Sequence, residues 1–194
     1  MRPFLHDELS PSCSAQSIKN ELARLNVQPA RAEEIEAARA LGAALIGPAI
    51  VTPEALRDVQ EWSGSALFVT RDKDDGSLTG VAAVLLMSAQ GLAALEAERF
   101  DGRDPDLAHV AEVGDEPSAV YVWGLAAIRK MAGARLTAGL LAMGDLATPH
   151  LPYFGRAASD TGLHLLIRTG FVPCPGSPSG LLRRAPALSR KAAA

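Results

Sequence analysis

Apolar residues recur along the chain with two different periods. Within residues 31–45 they return every three or four positions, which predicts an amphipathic helix. Residues 78–87 and 119–128 are instead almost continuously apolar and are bounded by turn residues, which predicts buried strands. We therefore expect a domain that combines helices with a sheet.

Capping and turn residues set the limits of further elements. Thr52 followed by Pro53 predicts the start of a second helix, and Gly64 predicts its end. Ser159 predicts the start of a last helix, which Gly170 ends. The full predicted order is a short strand at 22–27, helices at 31–45 and 53–63, a hairpin of strands 66–70 and 78–87, a short helix between 104 and 114, a strand at 119–128, a helix at 129–143, a strand within 150–157, a helix up to 168, and strands at 171–174 and 181–184.

Length and charge restrict the class of protein. A chain of 194 residues is long enough for one core and short for two, so we expect one domain over residues 20–184, with a disordered arm at 1–19 and a disordered tail at 185–194. The net charge of -3 argues against a nucleic-acid binder. No apolar run reaches the roughly 20 residues that span a bilayer, and polar residues at 6–8 interrupt any signal peptide. These features predict a cytoplasmic protein that binds neither nucleic acid nor a membrane.

Motifs for several other chemistries are missing from the sequence. The four histidines lack metal-ligand spacing, and the two cysteines, Cys13 and Cys174, are too few for a zinc site or a disulfide framework. The chain contains no P-loop, no GxGxxG and no GxSxG. We therefore expect no metal cofactor.

The segment Gly162-Leu-His-Leu-Leu-Ile-Arg-Thr-Gly170-Phe171 joins a helix directly to a Gly-Phe pair that opens a strand. Gly170 suits a left-handed helix end, and Phe171 can then enter the core. At this position, after this order of elements, the segment resembles the last helix of the GCN5-related N-acetyltransferase (GNAT) superfamily. The resemblance covers about residues 20–184 and implies a mixed, mostly antiparallel sheet of six to seven strands with helices on both faces. The strand 119–128 and the strand around Tyr153 should be parallel neighbours that diverge at their C-terminal ends.

A second resemblance lies where the strand 119–128 meets the next helix. Lys130 and Gly133 have the spacing of the family's pyrophosphate-binding junction, although Arg135 stands where the family has Gly or Ala. Backbone N–H groups and the dipole at a helix start favour an anion, while a plain helix start with solvated cations is the alternative. The residues that the resemblance assigns to an acyl-CoA are Gly124, Leu125, Ala126 and Ala127 on the strand, and Arg129, Lys130, Met131, Ala132, Gly133, Ala134 and Arg135 at the helix start.

The implied activity is N-acyl transfer from acetyl-CoA, or another acyl-CoA, by direct attack of an amine on the thioester. The family's usual proton donor falls on Leu166, which cannot donate, so Tyr153 or Ser159 is the nearest substitute. The strand 119–128 carries no acid, which leaves Glu112 and His109 upstream as candidate bases.

We expect the acceptor to be a small-molecule or peptide amine, and we leave open a homodimer. The long connection 92–118 is expected to cover the acceptor side. The alternative function is a catalytically decayed GNAT-like domain that binds CoA or a protein partner without turnover.

Overall fold

The computed structural model describes residues 22–48, 50–64 and 66–187. The predicted arm 1–19, and all but three residues of the predicted tail, lie outside these ranges.

The strands form one sheet in the order β1-β2-β3-β4-β5-β7-β6. The strands are β1 (Gln28–Pro29), β2 (Leu67–Arg71), β3 (Leu78–Met87), β4 (Ala119–Ala127), β5 (Tyr153–Arg156), β6 (Val172–Pro173) and β7 (Leu181–Arg184). Neighbours pair antiparallel except β4 and β5, which are parallel. The predicted mixed, mostly antiparallel sheet is confirmed.

Helices connect these strands. The α-helices are α1 (Ile35–Ile46), α2 (Pro53–Ser63), α3 (Ala89–Glu96), α4 (Lys130–Ala142) and α5 (Asp160–Arg168). A 3₁₀ turn, Ala32–Glu34, leads into α1, and a π-helical turn, Met143–Ala147, follows α4. No helix of the described ranges is both long and apolar enough to cross a membrane.

The two faces of the sheet bury alternate strand residues against different helices. Phe68 and Val120 pack with Leu136 of α4, whereas Val81 packs with Ala38 of α1 on the opposite face. This follows from the two-residue period of a strand, which sends successive side chains to opposite sides. The prediction of helices on both faces is confirmed.

Side-chain caps fix the helix starts as the sequence indicates. The hydroxyl oxygen of Thr52 accepts a hydrogen bond from the Ala55 N–H (3.2 Å), and that of Ser159 accepts one from the Gly162 N–H (3.1 Å). Gly170 has φ of 91°, in the left-handed region that ends a helix.

The predicted strand at 22–27 is wrong. Residues 22–24 are helical, the chain turns at Asn26, and the strand is confined to Gln28–Pro29. Leu22 and Val27 are buried because they pack on α4, where each lies within 3.3 Å of the position a Cβ would take on Gly139. Their apolar pattern therefore reflects contact with a helix and not membership of the sheet.

The predicted helix between 104 and 114 is a single 3₁₀ turn, Leu107–His109, capped by Asp106. The connection instead contains α3, which the sequence analysis did not predict. Ser88 caps α3 through the Gly91 N–H (3.1 Å), and Gly91 itself lies so close to the His109 carbonyl that a Cβ there would overlap it. α4 ends at Ala142, one residue before the predicted end at 143, and a π-helical turn then continues to Ala147.

Candidate functional site

Strands β4 and β5 separate in the middle of the sheet. They pair over three positions, from Val120↔Tyr153 to Val122↔Gly155. Beyond these pairs β5 ends at Arg156, while β4 continues to Ala127. At the same level the β3–β4 register shifts, because Trp123 is an extra residue on β4 between the pairs Val84↔Val122 and Ala83↔Gly124. The predicted divergence of the two parallel strands is confirmed, and we call the resulting opening the gap.

Beyond the gap one edge of β4 lacks a strand partner. The Ile128 N–H donates to the Thr79 carbonyl (2.9 Å), and hydrogen-bonded pairs alternate along an antiparallel ladder. The backbone groups of Gly124 and Ala126 therefore point to β3, whereas those of Leu125 and Ala127 point into the gap. Residues 124–127 are predicted to contact a ligand through their backbone groups. Of these four, Leu125 and Ala127 have backbone groups that point into the gap.

A cleft of about 500 Å³ occupies the gap. We call it the gap cleft. Its walls are the end of β4, the start of α4 and the inner face of α5, including Gly133, Thr137, Leu165 and Leu166. α4 follows β4 and α5 follows β5. Because these two strands diverge, the two helices that follow them enclose a cleft that extends from the sheet to the surface.

The start of α4 opens onto this cleft with free backbone donors. The first intrahelical bond runs from the Gly133 N–H to the Arg129 carbonyl (3.1 Å), and Arg129 provides no side-chain cap. The three N–H groups before Gly133 therefore have no partner within the helix. A Cβ on Gly133 would meet only the Ala127 Cβ, at 3.6 Å, so the approach to these donors is open.

The three cationic side chains predicted at the start of α4 differ in whether they line the gap cleft. Arg129 and Lys130 line the gap cleft together with Gly133, whereas Arg135 does not. Arg129 also forms an exposed ion pair with Asp72 (2.8 Å). The remaining residues predicted at this helix start, which do not line the cleft, are Met131, Ala132 and Ala134.

A second space of about 510 Å³, which we call the apolar cavity, lies on the α1 and α2 face of the sheet. It runs between α1, α2 and the strands, with Leu56 and Val81 among its walls. Both spaces share the same group of lining residues at the gap, namely Ile46, Trp123, Gly124, Arg156, Ala157 and Ala158. The gap cleft and the apolar cavity therefore meet where β4 and β5 separate.

A charged pair lies at this junction. Glu98 and Arg156 face each other at 3.7 Å, each with about one fifth of its side chain exposed. The Ser177 hydroxyl donates to Glu98, and Arg156 donates to Ser179 (2.9 Å). Hydrogen bonds from Ser177 and Ser179, and then the charge of Arg156, lower the pKa of Glu98 below its ordinary value, so it is a carboxylate at neutral pH.

Glu98 also adopts an unusual backbone conformation, with φ of 57°. This left-handed conformation ends α3, where the Arg99 N–H donates to the Ala94 carbonyl (2.8 Å). The other oxygen of its carboxylate, Oε2, is buried and accepts no hydrogen bond from the described residues. Glu98 and Arg156 lie 58 residues apart and share no sequence motif, so neither was predicted as a site residue.

The first half of the long connection 92–118 supplies part of the wall of the apolar cavity. Phe100, Gly102 and Arg103 line it, and the Trp123 indole N–H donates to the Gly102 carbonyl (2.5 Å). The segment 98–103 therefore lies over the apolar cavity. The expectation that the connection covers the acceptor side stays a prediction.

Tyr153 lines the gap cleft but is almost fully buried. Its hydroxyl is hydrogen-bonded to Thr148 (2.8 Å), and burial raises its pKa to about 12. It precedes Arg156 by three positions in β5, so its side chain faces the opposite side of the sheet. Leu166, at the position of the family's usual proton donor, also lines the cleft.

His109 and Glu112 line neither the gap cleft nor the apolar cavity. His109 lies against the Phe100 ring (6.1 Å between ring centroids), and Glu112 is exposed. Their predicted role as bases stays a prediction. In the described ranges no group of three or more His, Cys, Asp or Glu side chains could hold a metal ion.

Two solved structures share this architecture. One is described as histone acetyltransferase HPA2 and related acetyltransferase from Corynebacterium glutamicum; it is 19% identical, with a TM-score of 0.50, over 84% of this chain and 96% of that chain. The other is the GNAT-like decarboxylase GphF in complex with isobutyryl-CoA; it is 15% identical, with a TM-score of 0.53, over 82% of this chain and 98% of that chain. No family model matches the sequence, and no curated protein matches it significantly. The chain has a divergent GNAT-like fold.

Proposed function

We propose that this protein is an acyl-CoA-dependent N-acyltransferase in which an amine attacks the thioester directly. The observation that carries the proposal is the meeting of the gap cleft and the apolar cavity between β4 and β5. Direct transfer needs two substrates that reach one point from different sides, and this arrangement provides two spaces that share one junction.

The gap cleft fits the acyl-CoA. Free N–H groups at the start of α4, with Lys130 beside them, suit the pyrophosphate. The backbone groups of Leu125 and Ala127 suit the amide-containing pantetheine arm, because they offer donors and acceptors along an unpaired strand edge. A neighbour with the same fold binds isobutyryl-CoA, which supports this choice of donor substrate.

The junction supplies the groups that acyl transfer needs. Glu98 is a carboxylate that lines the apolar cavity beside Arg156, so it can hold the ammonium form of the acceptor near the thioester. After the ammonium loses a proton to solvent, the nitrogen lone pair attacks the carbonyl carbon, the C–N bond forms and the C–S bond breaks. The nitrogen then loses its second proton, which balances the proton that the departing thiolate takes up. Arg156 stabilises the negative charge that develops on oxygen and then on sulfur.

Protonation of the departing thiolate has two candidate donors. Ser159 lines the gap cleft, and because its oxygen accepts the Gly162 N–H, its own hydroxyl proton is free to be donated. Tyr153 is protonated at every physiological pH but faces away from Arg156 and is already bonded to Thr148. We favour Ser159 on geometry, and comparison of Ser159→Ala with Tyr153→Phe distinguishes the two.

A non-catalytic domain that binds CoA or a protein partner is the second candidate. The observation that favours it is Leu166, which places an apolar side chain in the cleft where the family has its proton donor.

The test combines binding and turnover on one preparation. Calorimetric titration with acetyl-CoA and isobutyryl-CoA should show one site, and thiol release with an amine panel should show turnover that requires the amine. Binding without turnover on any amine selects the non-catalytic domain, and absence of both rejects the proposal.

A further inference from the structure

The apolar cavity extends into the interior of the protein. Its walls include Ala38 of α1, Leu56 of α2 and Leu67 and Val81 of the sheet, all of which are less than a tenth exposed. Protein interiors are normally packed to the density of organic crystals, with few voids larger than a water molecule. A cavity of about 510 Å³ lies within the range of small-molecule sites, so it has the size of a ligand and not of a packing defect.

Small residues on facing elements create this space. On α1, a Cβ at Gly42 would lie 3.6 Å from Ile50 Cδ1 and 3.9 Å from Val81 Cγ1. Opposite α1, a Cβ at Gly124 would lie 3.7 Å from Ile46 Cδ1. Both contacts are ordinary van der Waals distances, so a side chain at Gly42 would occupy the cavity without displacing the backbone.

Charged groups lie mainly at the end of the cavity that meets the gap. Glu98, Asp101, Arg103 and Arg156 belong to segments next to the gap. Arg39 lines the cavity from α1, but its Nε donates to the Val51 carbonyl (2.8 Å). Among the described lining residues the walls supplied by α2 and the sheet contain no carboxylate, so a ligand would meet charge at one end and hydrocarbon at the other.

Resting on the proposed N-acyltransferase activity, we infer that the acceptor is a primary amine carried on an apolar body, an aromatic ring or a short alkyl chain. Its ammonium group lies at Glu98 beside the gap, and its apolar body fills the cavity between α1, α2 and the sheet. In the reaction the ammonium group loses one proton to solvent, its nitrogen bonds to the acyl carbon and the C–S bond breaks. The nitrogen then loses its second proton, one proton is taken up by the departing thiolate, and CoA leaves as the thiol.

This geometry discriminates between classes of amine. A polyamine would place a second ammonium group near Leu56 and Val81, where no described side chain can accept its hydrogen bonds, and burying an unpaired charge is strongly unfavourable. A longer alkyl chain instead gains roughly fourfold in kcat/KM for each methylene buried, from about 0.8 kcal/mol per CH₂.

The experiment measures kcat/KM at saturating acetyl-CoA for ethylamine, hexylamine, phenethylamine, spermidine and a lysine-containing peptide. We expect hexylamine and phenethylamine to exceed ethylamine at least tenfold and to exceed spermidine and the peptide. Gly42→Leu fills the cavity and should remove this advantage. Ala44→Leu, at an exposed position of the same helix, is the matched control and should retain the advantage. Gly42→Ala serves if the larger substitution impairs folding, and it should reduce the advantage partially.

A binding measurement separates this inference from the activity on which it rests. The chain has two tryptophans, so Trp62→Phe leaves Trp123, which lines the cavity, as the only indole reporter. Hexylamine and phenethylamine should change Trp123 fluorescence, and Gly42→Leu should abolish the change. If the protein acetylates spermidine or the peptide best and apolar amines do not change Trp123 fluorescence, the inferred class of acceptor is wrong. The proposed N-acyltransferase activity is then still supported. If apolar amines bind at Trp123 but none is acetylated, the transferase proposal fails and the ligand class of the cavity stands.

Discussion

Glu98 is the side chain on which the proposed chemistry depends most directly. Its carboxylate is held by Ser177 on one oxygen, while the other oxygen is buried beside Arg156 without a hydrogen bond. This arrangement fixes a negative charge where the gap cleft and the apolar cavity meet, and this charge can attract the ammonium group of an acceptor.

Glu98→Gln should therefore raise KM for the acceptor amine. A hydrogen bond to a charged group contributes about 1.5–3 kcal/mol, so we expect roughly a 10- to 100-fold increase with KM for acetyl-CoA unchanged. Initial rates of thiol release measure both constants. Glu96→Gln removes an exposed charge two residues away and serves as control; an equal effect in both variants would rule out a specific role for Glu98.

The pH dependence of the reaction follows from the same residue. Because the pKa of Glu98 is lowered by its serine hydrogen bonds and by Arg156, the group stays ionised down to below its ordinary pKa. We expect kcat/KM to rise with pH as the amine deprotonates, with no inflection from Glu98 between pH 5 and 9. An acidic limb in that range that disappears in Glu98→Gln would contradict this assignment.

Glu34 illustrates a side chain whose charge serves stability. The Arg71 guanidinium makes two hydrogen bonds with it, 2.8 and 2.5 Å long, and is the main reason that its pKa falls to about 2. A carboxyl with a depressed pKa contributes stability above its unfolded pKa of 4.5, and this contribution is lost as the pH falls toward 2.

Glu34→Gln should lower the free energy of unfolding at pH 7 by about 1–2 kcal/mol, since both partners are partly screened by solvent. The difference from the unmodified protein should shrink between pH 4.5 and 2. Urea unfolding at several pH values measures it, and Glu36→Gln, at an exposed position of α1, should show no such trend.

At the scale of elements, the start of α4 is where the fold offers a phosphate site. Its position follows from β4, which ends at the gap and delivers the first turn of the helix to the mouth of the cleft. The free N–H groups belong to the helix backbone, whereas the cations around it are side chains that can be substituted one at a time.

Gly133→Val should weaken acetyl-CoA binding at least tenfold by obstructing the approach to these N–H groups. The fold should persist, because the added Cβ meets only Ala127 and the change in helix propensity is below about 1 kcal/mol. Ala138→Val, on the same helix but not in the cleft wall, is the control for calorimetry and melting. Unchanged affinity in folded Gly133→Val would move the phosphate site elsewhere.

Lys130 and Arg135 form a second matched comparison on this helix. Lys130 lines the cleft and Arg135 does not, so Lys130→Gln should weaken CoA binding by about 1–3 kcal/mol and Arg135→Gln by much less. Calorimetric titration at low and moderate salt measures both. The resemblance assigns all three cations of this junction to the acyl-CoA, and the opposite order of effects would favour Arg135.

The connection before β4 contributes both to the wall of the apolar cavity and to the core. Its first half lines the apolar cavity, but Phe100, Val110 and Ala111 are buried. Removing residues 100–113 as a block would therefore take away part of the core. Point substitutions at Asp101 or Arg103, which line the cavity from exposed positions, test whether the segment selects the substrate without this loss.

For the whole molecule, the gap divides the sheet into two parts that share only three residue pairs between β4 and β5. A ligand in the gap cleft would contact β4 on one side and α5 on the other. It would therefore stabilise the connection between the two parts, and binding would be visible as global stabilisation.

Acetyl-CoA at about 100 times its dissociation constant should add about 2.7 kcal/mol to the free energy of unfolding and raise Tm by roughly 5–10 °C. Differential scanning fluorimetry measures this shift. Pantetheine, which lacks the phosphates, is the control and should produce a much smaller shift at the same concentration. Equal shifts with both ligands would show that the start of α4 does not contribute to binding.

The sequence by itself determined the order and type of most elements, because their signals are local. The period of apolar residues in α1, the caps Thr52 and Ser159, and the left-handed Gly170 act within a few residues, and each appears in the structure as predicted. The gap was also predictable, since a strand, helix and strand unit gives a parallel pair and the GNAT resemblance supplied the divergence.

Only the tertiary structure decided what meets at the gap. Glu98 and Arg156 come from different elements and are joined through Ser177 and Ser179 of a third segment, so no spacing along the chain relates them. The apolar cavity likewise depends on small residues of α1 facing small residues of β4. A helix period shows which residues face the sheet, but whether facing side chains fill the space or leave it open is a property of the packed pair.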